Sequence, residues 1–440
     1  MSVKTPNHEL SPMRCPVNLG DVDLFSPGAQ EHWYEAYDIL HREAPVHRLR
    51  GEGLIPGTDG YILSKHEDIE LVVKNWERFP PIMSVAIDEL TKQEADPEEV
   101  DFNNATPTSA ATLRPNPRLW RAHRQELTDP WVGTGAGRHE EMIKRFANQL
   151  IDDWIDKGEV EFIGEFARPL PQMVMSTILG FPLEDTKRLE EWGNAQVMPF
   201  VYGKGHRNRL TAEQAKEQAR VLDGFNEYVS ETVKEKRANP QDDMISALTQ
   251  ITYKALDRKL TDAEIYGVVY GMVIGGLETT QYALEEEAQL LCEREGVFDQ
   301  IKKDRRLVRP FTEEAMRLRS PTQGLSTRLT SQDEVFQGVE VPKGSLLHLR
   351  WAAANIDADE WECPRDIKLD RKASTRHLTF SAGPRVCPGA HLSRLEQVTA
   401  WNCLLDRIDG LEYASDNKFL HQPGIMLGTL ELQLNFAKAG

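Results

Sequence analysis

Four long segments with helical periodicity constrain the fold of this chain more than any other feature of its sequence. Apolar residues recur every three or four positions, the spacing of an amphipathic helix, in four segments: residues 140–156, 211–236, 261–293 and 390–407. Strand-like runs are fewer and shorter. Residues 335–351 predict a hairpin that turns at Pro342-Lys343-Gly344, and residues 431–436 predict one further strand. The sequence therefore predicts a mainly α fold with small β-sheets at its edge.

The composition argues against a nucleic-acid or membrane partner. The 70 acidic residues outnumber the 52 basic residues, and the resulting net charge of -18 is the opposite of a nucleic-acid binder's basic surface. The longest apolar run, residues 265–277, is shorter than the about 20 residues that span a bilayer. Residues 1–20 lack the features of a signal or transit peptide. The five cysteines are scattered without a CxxC spacing, which predicts no disulfide framework and no zinc site. We therefore expect a cytoplasmic protein.

No internal repeat and no low-complexity linker divides the 440 residues, although that length alone would accommodate two or three domains. Residues 1–30 predict an N-terminal arm of irregular structure. Residues 88–117 are polar, acidic and contain prolines, so we expect a long loop there. Long loops in compact domains are commonly functional or disordered.

The stretch FSAGPRVCPGA, residues 380–390, places one cysteine among glycines and prolines. Cys387 directly precedes a predicted helix whose first turn suits Pro388, so backbone N–H groups and the helix dipole would stabilise a thiolate there. Gly383 and Gly389 would let a flat ligand approach the backbone closely. A buried structural role is the commoner alternative for an isolated cysteine. A nucleophilic role is the other alternative, but no Cys–His protease or oxidoreductase pattern surrounds this residue.

The full pattern Phe380-x-x-Gly383-x-Arg385-x-Cys387-x-Gly389 resembles the haem-binding loop of the cytochrome P450 family. This resemblance makes Cys387 the metal ligand, a proximal thiolate on the iron of haem b. It implies that Phe380 packs against the loop and that Arg385 pairs with a haem propionate. It also implies one domain over residues 1–440, a triangular prism of helices that encloses the haem between two long helices. The pattern is most similar to soluble bacterial members such as the camphor-hydroxylase group.

A Glu-x-x-Arg motif precedes the cysteine loop. The spacing of Glu314 and Arg317 places both side chains on one helix face. Most such pairs are solvated surface ion pairs that contribute about 0.5 kcal/mol or less. At 70 residues before the cysteine (387 minus 317), however, the motif resembles the family's buried Glu–Arg pair. The resemblance assigns these residues a structural role.

The segment from Thr261 resembles the oxygen-binding helix of the family. Thr261 and Glu264 form a capping box, and two glycines, Gly275 and Gly276, interrupt the apolar body that follows. Glycines in a helix interior cost about 1 kcal/mol each relative to alanine. Tight packing against another helix is one explanation. Room for oxygen beside the haem is the other, and it places both glycines at the cofactor. The resemblance then makes Glu278 the catalytic acid and Thr279 the catalytic alcohol that deliver protons.

Further segments match the family's cofactor contacts. Arg328 follows the Glu-x-x-Arg helix, as a propionate-binding arginine does in the family. Trp120-x-x-x-Arg124 resembles the contact to the other propionate, and His123 takes that role instead if the register shifts by one. Residues 424–428 resemble a C-terminal hairpin whose tip reaches the substrate pocket.

The same resemblance predicts a pocket of small or apolar residues, which favours a bulky apolar substrate such as a terpenoid or steroid. One of these residues, Phe200, is a core aromatic in the alternative interpretation. The predicted substrate contacts are Phe200, Gly271, Ile274, Leu277, Gly324, Leu325, Ile425 and Met426.

The resemblance implies a monooxygenase that inserts one oxygen atom of O2 into its substrate. Only 53 residues follow Cys387 (440 minus 387) and no flavin or iron–sulfur domain is visible there. We therefore expect electrons from a separate [2Fe–2S] ferredoxin and its NAD(P)H-dependent reductase, and we expect a monomer. Arg121, Arg124 and Arg394 are candidates for the docking surface. The rival functions are a peroxygenase that uses H2O2 and a haem-binding sensor without enzymatic activity.

Overall fold

The structure is a computed structural model that describes residues 13–54, 57–82, 119–201, 210–324, 327–415 and 417–440, with side chains in the helix ending at Val201 described up to residue 198. In chain order, the α-helices of these residues are α1 Trp33–Glu43, α2 His66–Lys74, α3 Trp120–Ala122, α4 Glu140–Asp152, α5 Pro169–Leu179, α6 Thr186–Val201, α7 Ala212–Ala238, α8 Met244–Gln250, α9 Asp262–Gly276, α10 Glu278–Glu293, α11 Val297–Lys303, α12 Val308–Leu318, α13 Trp351–Ala354 and α14 Ala390–Arg407. The strands are β1 Val46–Leu49, β2 Gly60–Leu63, β3 Glu159–Glu161, β4 Thr252–Tyr253, β5 Arg258–Lys259, β6 Thr327–Leu329, β7 Glu334–Phe336, β8 Val339–Val341, β9 Leu346–Leu349, β10 Ile408–Tyr413 and β11 Gln433–Lys438. The prediction of a mainly α fold with small sheets is confirmed.

The strands form small sheets, of which the largest has the order β1-β2-β9-β6. The hairpin predicted over residues 335–351 is wrong. The turn that pairs β7 with β8 lies at Gln337 and Gly338, whose positive φ angles of 47° and 77° suit a tight reversal. Strand β9 instead pairs in parallel with β2 and antiparallel with β6. The predicted C-terminal strand is present as β11, between β10 and β3.

The predicted helical segments are present with two differences. Helix α4 ends at Asp152 rather than at residue 156, and the segment 261–293 is divided into α9 and α10 at Leu277. Two adjacent glycines weaken the helix there. The hydroxyl of Thr279 also donates to the carbonyl of Gly275 at 2.7 Å, which is the acceptor that the backbone of residue 279 would use in a continuous helix.

The main hydrophobic core surrounds the contact of α4, α10 and α14. Trp401 of α14 is fully buried between the rings of Phe162 and Phe311, each at a centroid distance of 6.2 Å. Its indole N–H donates to Oε2 of Glu287 on α10 at 2.6 Å. These contacts hold α14, and therefore the loop that precedes it, against the long central helices.

None of the helices in the described ranges is long and apolar enough to cross a membrane. The predicted loop at residues 88–117 lies outside those ranges. Of the predicted N-terminal arm, the part from Met13 contains two short 3-10 turns, Leu19–Asp21 and Ala29–His32. One domain over the whole chain stays a prediction.

Candidate active site

A cavity of about 470 Å³ lies between α9, α10 and the loop before α14. It gathers most of the residues that the sequence predicts for cofactor binding, although they lie far apart along the chain. The predicted cofactor residues that line it are Trp120, His123, Arg124, Gly275, Arg328, Phe380, Arg385 and Cys387. The other three described glycines of that prediction, Gly276, Gly383 and Gly389, do not line it.

The loop that carries Cys387 is held in a specialised conformation. The amide of Cys387 donates to the carbonyl of Phe380 at 2.8 Å, which closes the loop. Gly383 has a φ of 70°, and a Cβ there would lie 2.8 Å from the carbonyl oxygen of Val73 in α2. Only glycine fits both conditions. Helix α14 begins at Ala390 with Gly389 as its N-cap residue, so Pro388 lies before the helix, whereas the sequence predicted it in the first turn.

Arg124 lies in the π-helical turn His123–Thr128 and contacts the cysteine loop directly. Its Nη1 donates to the carbonyl of Val386 at 2.9 Å and its Nη2 to the carbonyl of Cys387 at 3.4 Å. Its Nε lies 3.3 Å from Asp129. Arg124 therefore holds the loop in place through these hydrogen bonds. His123, the alternative propionate contact, lines the same cavity.

The two glycines predicted on the oxygen helix have different surroundings. A Cβ on Gly275 would meet no described atom within 4 Å, whereas a Cβ on Gly276 would lie 2.3 Å from Cε of Met175 in α5. Gly275 therefore faces the cavity and Gly276 serves helix packing. Gly276 therefore fits the packing explanation, whereas room for oxygen at Gly275 stays a prediction.

Thr279 and Glu278 also differ in where they lie. Thr279 lines the cavity, whereas Glu278 does not; its carboxyl group is buried and accepts a hydrogen bond from Tyr282 at 2.8 Å. Burial raises the pKa of Glu278 to about 7, although the Tyr282 hydrogen bond lowers it. A group with this pKa can both hold and release a proton near neutral pH.

The sequence profile described as "Cytochrome P450" matches residues 81–436 of the chain. The chain belongs to the cytochrome P450 family. Members of this family carry haem b on a cysteine thiolate, use O2 and act as monooxygenases.

Known P450s of bacteria are similar over nearly the whole chain. "Polyketide biosynthesis cytochrome P450 PksS" of Bacillus subtilis is 26% identical over 394 residues, which cover 89% of this chain and 93% of that protein. The structure of epothilone D-bound P450epoK has a TM-score of 0.78 at 20% identity and covers 95% of this chain and 99% of its own. CYP109E1 of Bacillus megaterium with corticosterone has a TM-score of 0.74 at 23% identity, with 92% and 98% covered. These structures share the P450 fold.

The donors along the cavity fit the acidic edge of a haem. Arg328 is 5% exposed, and burial lowers its pKa to about 10, so it remains a cation at neutral pH. The guanidinium of Arg385 lies 5.1 Å from the ring of Trp120. The indole N–H of Trp120 is buried and has no hydrogen-bond partner within the described parts of the chain. Two cations and one buried donor on the same cavity match an anionic ligand group such as a propionate.

The predicted substrate contacts of this P450 are only partly on the cavity. Ile274 and Met426 line it. Four described residues of the prediction do not: Gly271, Leu277, Gly324 and Ile425. Leu277 is instead buried at the break between α9 and α10, and a Cβ on Gly324 would lie 2.5 Å from the carbonyl oxygen of Leu349. Whether a residue faces a cavity depends on the direction of its Cα–Cβ bond and on the elements packed beside it, and not on proximity in sequence. Leu325 and the side chain of Phe200 lie outside the described residues.

Several lining residues were missed by the sequence analysis. Val197 lies in the helix segment where Phe200 was proposed, so the segment was recognised and the residue was not. Met316 lies within the Glu-x-x-Arg motif and Ala283 follows the Glu278-Thr279 pair on α10, but neither position was predicted to face the cavity. The further apolar lining residues outside the cysteine loop are Pro81, Ile82, Pro321 and Trp351.

The Glu314–Arg317 pair of this P450 is fully buried, unlike most pairs of its spacing. Arg317 Nε and Nη2 donate to the Glu314 carboxylate at 2.8 and 3.0 Å, and Nη1 donates to the carbonyl of Pro364 at 2.7 Å. Arg371 contacts the same carboxylate at 2.8 Å. These contacts connect α12 to the segment that leads to the cysteine loop. They support the structural role predicted for Glu314 and Arg317.

Proposed function

We propose that Cys387 is the axial thiolate of haem b in this P450 and that the enzyme inserts one oxygen atom of O2 into an apolar small molecule. The single observation that carries this proposal is the shared cavity, in which Cys387, Arg328, Arg385, Gly275 and Thr279 meet. The overall reaction consumes substrate, O2, two electrons and two protons, and it yields hydroxylated substrate and water. The bound haem supplies oxygen binding and the one-electron chemistry.

The residues of the chain hold the cofactor and manage protons in this proposal. Arg328, Arg385 and the indole N–H of Trp120 bind the propionates, with His123 as a further donor. Arg124 and the Phe380 carbonyl keep the cysteine loop in place. Thr279 lies on the cavity, where its Oγ1 would hold a proton for the reaction, and the Glu278 carboxyl group would replenish that proton through water.

We propose a bulky apolar substrate, with a terpenoid or steroid favoured. Apolar side chains that line the cavity support this class, among them Ile274, Val197 and Met426. The names of relatives point in the same direction, since CYP109E1 was solved with corticosterone and P450epoK with epothilone D. The polyketide context in the name of PksS makes macrolides a third class to screen.

We propose a [2Fe–2S] ferredoxin with an NAD(P)H-dependent reductase as the electron source. Two of the three arginines considered for its docking surface are engaged within the protein. Arg394 bonds the buried Glu313 at 2.6 Å, and Arg124 bonds the cysteine loop. Arg121 is exposed and remains the best candidate. A cytoplasmic location and a monomeric state stay predictions.

The first experiment is the absorption spectrum of the reduced protein with CO. We expect a strongly red-shifted Soret band for the wild type and its loss in Cys387→His, which offers an imidazole instead of a thiolate. A histidine-type band in the wild type would overturn the proposal. Turnover driven by ferredoxin and turnover driven by H2O2, measured on the same substrate, then separate the monooxygenase from a peroxygenase.

A further inference from the structure

A buried hydrogen-bond chain connects Glu278 to Gln422 through the hydroxyl of Tyr282. Tyr282 lies one turn later on α10 and is 4% exposed. Its hydroxyl donates to Oε2 of Glu278 at 2.8 Å, and Gln422 Nε2 donates to that hydroxyl oxygen at 2.6 Å. Burial and the neighbouring carboxylates raise the pKa of Tyr282 well above its usual value, so the hydroxyl keeps its proton.

The second carboxyl oxygen of Glu278 has a different environment. Oε1 is buried and has no hydrogen-bond partner among the residues that the structure describes. It lies close to Gly193 of α6, where a Cβ would be 3.9 Å away. Because Tyr282 occupies Oε2, Oε1 is the atom available to exchange a proton.

Few other charged or titratable groups face Glu278. Arg168, which directly precedes α5, lowers its pKa, and Glu190 of α6 raises it. These two side chains pair with each other at 3.1 Å and are about one-third exposed, so much of their effect cancels or is screened. Tyr282 is therefore the only one of these groups that touches the carboxyl group.

Tyr282 also contacts the C-terminal hairpin. A Cβ on Gly428 would lie 2.4 Å from the Tyr282 ring, so the hairpin backbone packs directly on the ring face. The amide of Thr429, the residue after Gly428, donates to Glu285 of α10 at 2.9 Å and holds this part of the hairpin against α10. Met426 of this hairpin lines the cavity. Tyr282 thus lies between the predicted catalytic acid and a segment that contacts the cavity.

We propose that Tyr282 is a positioning residue for Glu278, and that its hydroxyl, held by Gln422, fixes Oε2 and leaves Oε1 to exchange protons during turnover. This proposal rests on the proposed function, because it needs Glu278 as the proton source. The hydroxyl hydrogen bond stabilises the carboxylate form of Glu278, so it sets the pH at which the acid is half-protonated.

The test is the protonation of Glu278 followed by infrared spectroscopy of the haem-loaded protein across pH. The carboxyl C=O band of Glu278 is identified as the band lost in Glu278→Gln. Tyr282→Phe keeps the ring against Gly428 and removes only the hydroxyl. We expect its Glu278 midpoint to move upward by about one pH unit, since a hydrogen bond to a charged group is lost. Gln422→Met, which removes only the donor to Tyr282, should move it in the same direction by less.

The matched control is Tyr253→Phe. The Tyr253 hydroxyl is buried and has no hydrogen-bond partner in the described residues, so its removal deletes an equivalent group without breaking a bond. An unchanged Glu278 midpoint in Tyr282→Phe, within the range of this control, would overturn the positioning role.

Product formed per reducing equivalent provides the second readout. A carboxyl group with a raised pKa stays protonated to higher pH, so the alkaline limb of this ratio should move upward with the infrared midpoint in Tyr282→Phe. A moved midpoint with an unmoved limb would also overturn the proposal. Failure of the proposed function is a separate outcome, since it appears in the wild-type CO spectrum, whereas the infrared shift requires no turnover.

Discussion

The hydroxyl of Thr279 serves two purposes at the scale of single residues. It bonds the carbonyl of Gly275 at 2.7 Å and it lines the cavity beside Cys387. The first contact is structural, because it satisfies a backbone acceptor left open at the break between α9 and α10. The second contact is functional in our proposal, because Thr279 is the hydroxyl that the sequence analysis predicts as catalytic.

Thr279→Ala tests the functional contact. We expect O2 binding to persist, while product per reducing equivalent falls at least about tenfold and H2O2 is released instead, because a positioned proton donor is lost. The measurement is the ratio of product and peroxide to NAD(P)H consumed. Thr279→Ser keeps the hydroxyl and should retain coupling. Unchanged coupling in Thr279→Ala would contradict the assignment of the relay.

Burial decides the energetic weight of two ion pairs that share the i, i+3 spacing. Glu314–Arg317 is fully buried, whereas Glu217–Arg220 on α7 is exposed. We expect Arg317→Met to lower the free energy of unfolding by about 3–5 kcal/mol, because it leaves a buried carboxylate without its main partner. Arg220→Met should change it by about 0.5 kcal/mol or less. Urea denaturation of both variants gives the comparison, and equal effects would contradict it.

At the scale of elements, the cysteine loop is shaped by its contact with α2. Gly383 and Gly410 have nearly the same φ, 70° and 73°. A Cβ would lie 2.8 Å from the Val73 carbonyl oxygen at Gly383, but it would meet no described atom within 4 Å at Gly410. Alanine substitutions at these two glycines therefore distinguish the effect of backbone strain from the effect of a steric clash with another element.

Gly383→Ala should destabilise the protein more than Gly410→Ala. Both variants bear the strain of a positive φ, about 1 kcal/mol or more. Only Gly383→Ala must also displace the loop from α2, so we expect it to bind haem more weakly. The measurements are the thermal unfolding midpoint and the haem content after dilution. Equal haem retention in the two variants would show that the contact with α2 does not shape the loop.

At the scale of the whole molecule, buried carboxyl groups fall into two classes with opposite effects on stability. His377 and Arg394 lower the pKa of Glu313 to about 2, against the opposing effect of burial. Burial raises the pKa of Glu285 to about 8. The first class stabilises the folded state above the unfolded-state pKa near 4.5, and this contribution is lost as pH falls toward 2. The second class stabilises it at low pH, and its contribution is lost as pH rises from about 4.5 through 8.

We therefore expect the free energy of unfolding to fall between pH 5.5 and 7.5. Gln281 Nε2 and the Thr429 amide each donate to one oxygen of Glu285, at 2.7 and 2.9 Å. Glu285→Gln removes one raised carboxyl group; its amide oxygen can accept from the Thr429 amide, and its NH2 group can donate to Gln281 Oε1 when the Gln281 amide flips. The decline in this variant should be less steep by about 1.4 kcal/mol per pH unit. Denaturant unfolding at several pH values gives both slopes, and parallel slopes would show that Glu285 is ionised in the folded protein.

Local spacing, together with the family resemblance that it carries, was enough for much of this interpretation. The cysteine loop, the Glu314–Arg317 pair and most helix bounds depend on residues within a few positions of one another, where backbone geometry dictates what shares a face. The hairpin assigned to residues 335–351 failed for the opposite reason. Strand β9 finds its partners in β2 and β6, and a short alternating run carries no information about a distant partner.

The sequence and the family resemblance that it carries indicated that an acid–alcohol pair, a buried ion pair and a cysteine loop would follow one another in this order on a mainly α fold. Only the tertiary structure decided which glycine faces the cavity and which packs on Met175, and that the buried carboxyl group of Glu278 bonds Tyr282. It also placed Gln422 against Tyr282, 140 residues away. The physical reason is that these contacts depend on side-chain directions between elements, which packing of the whole core sets.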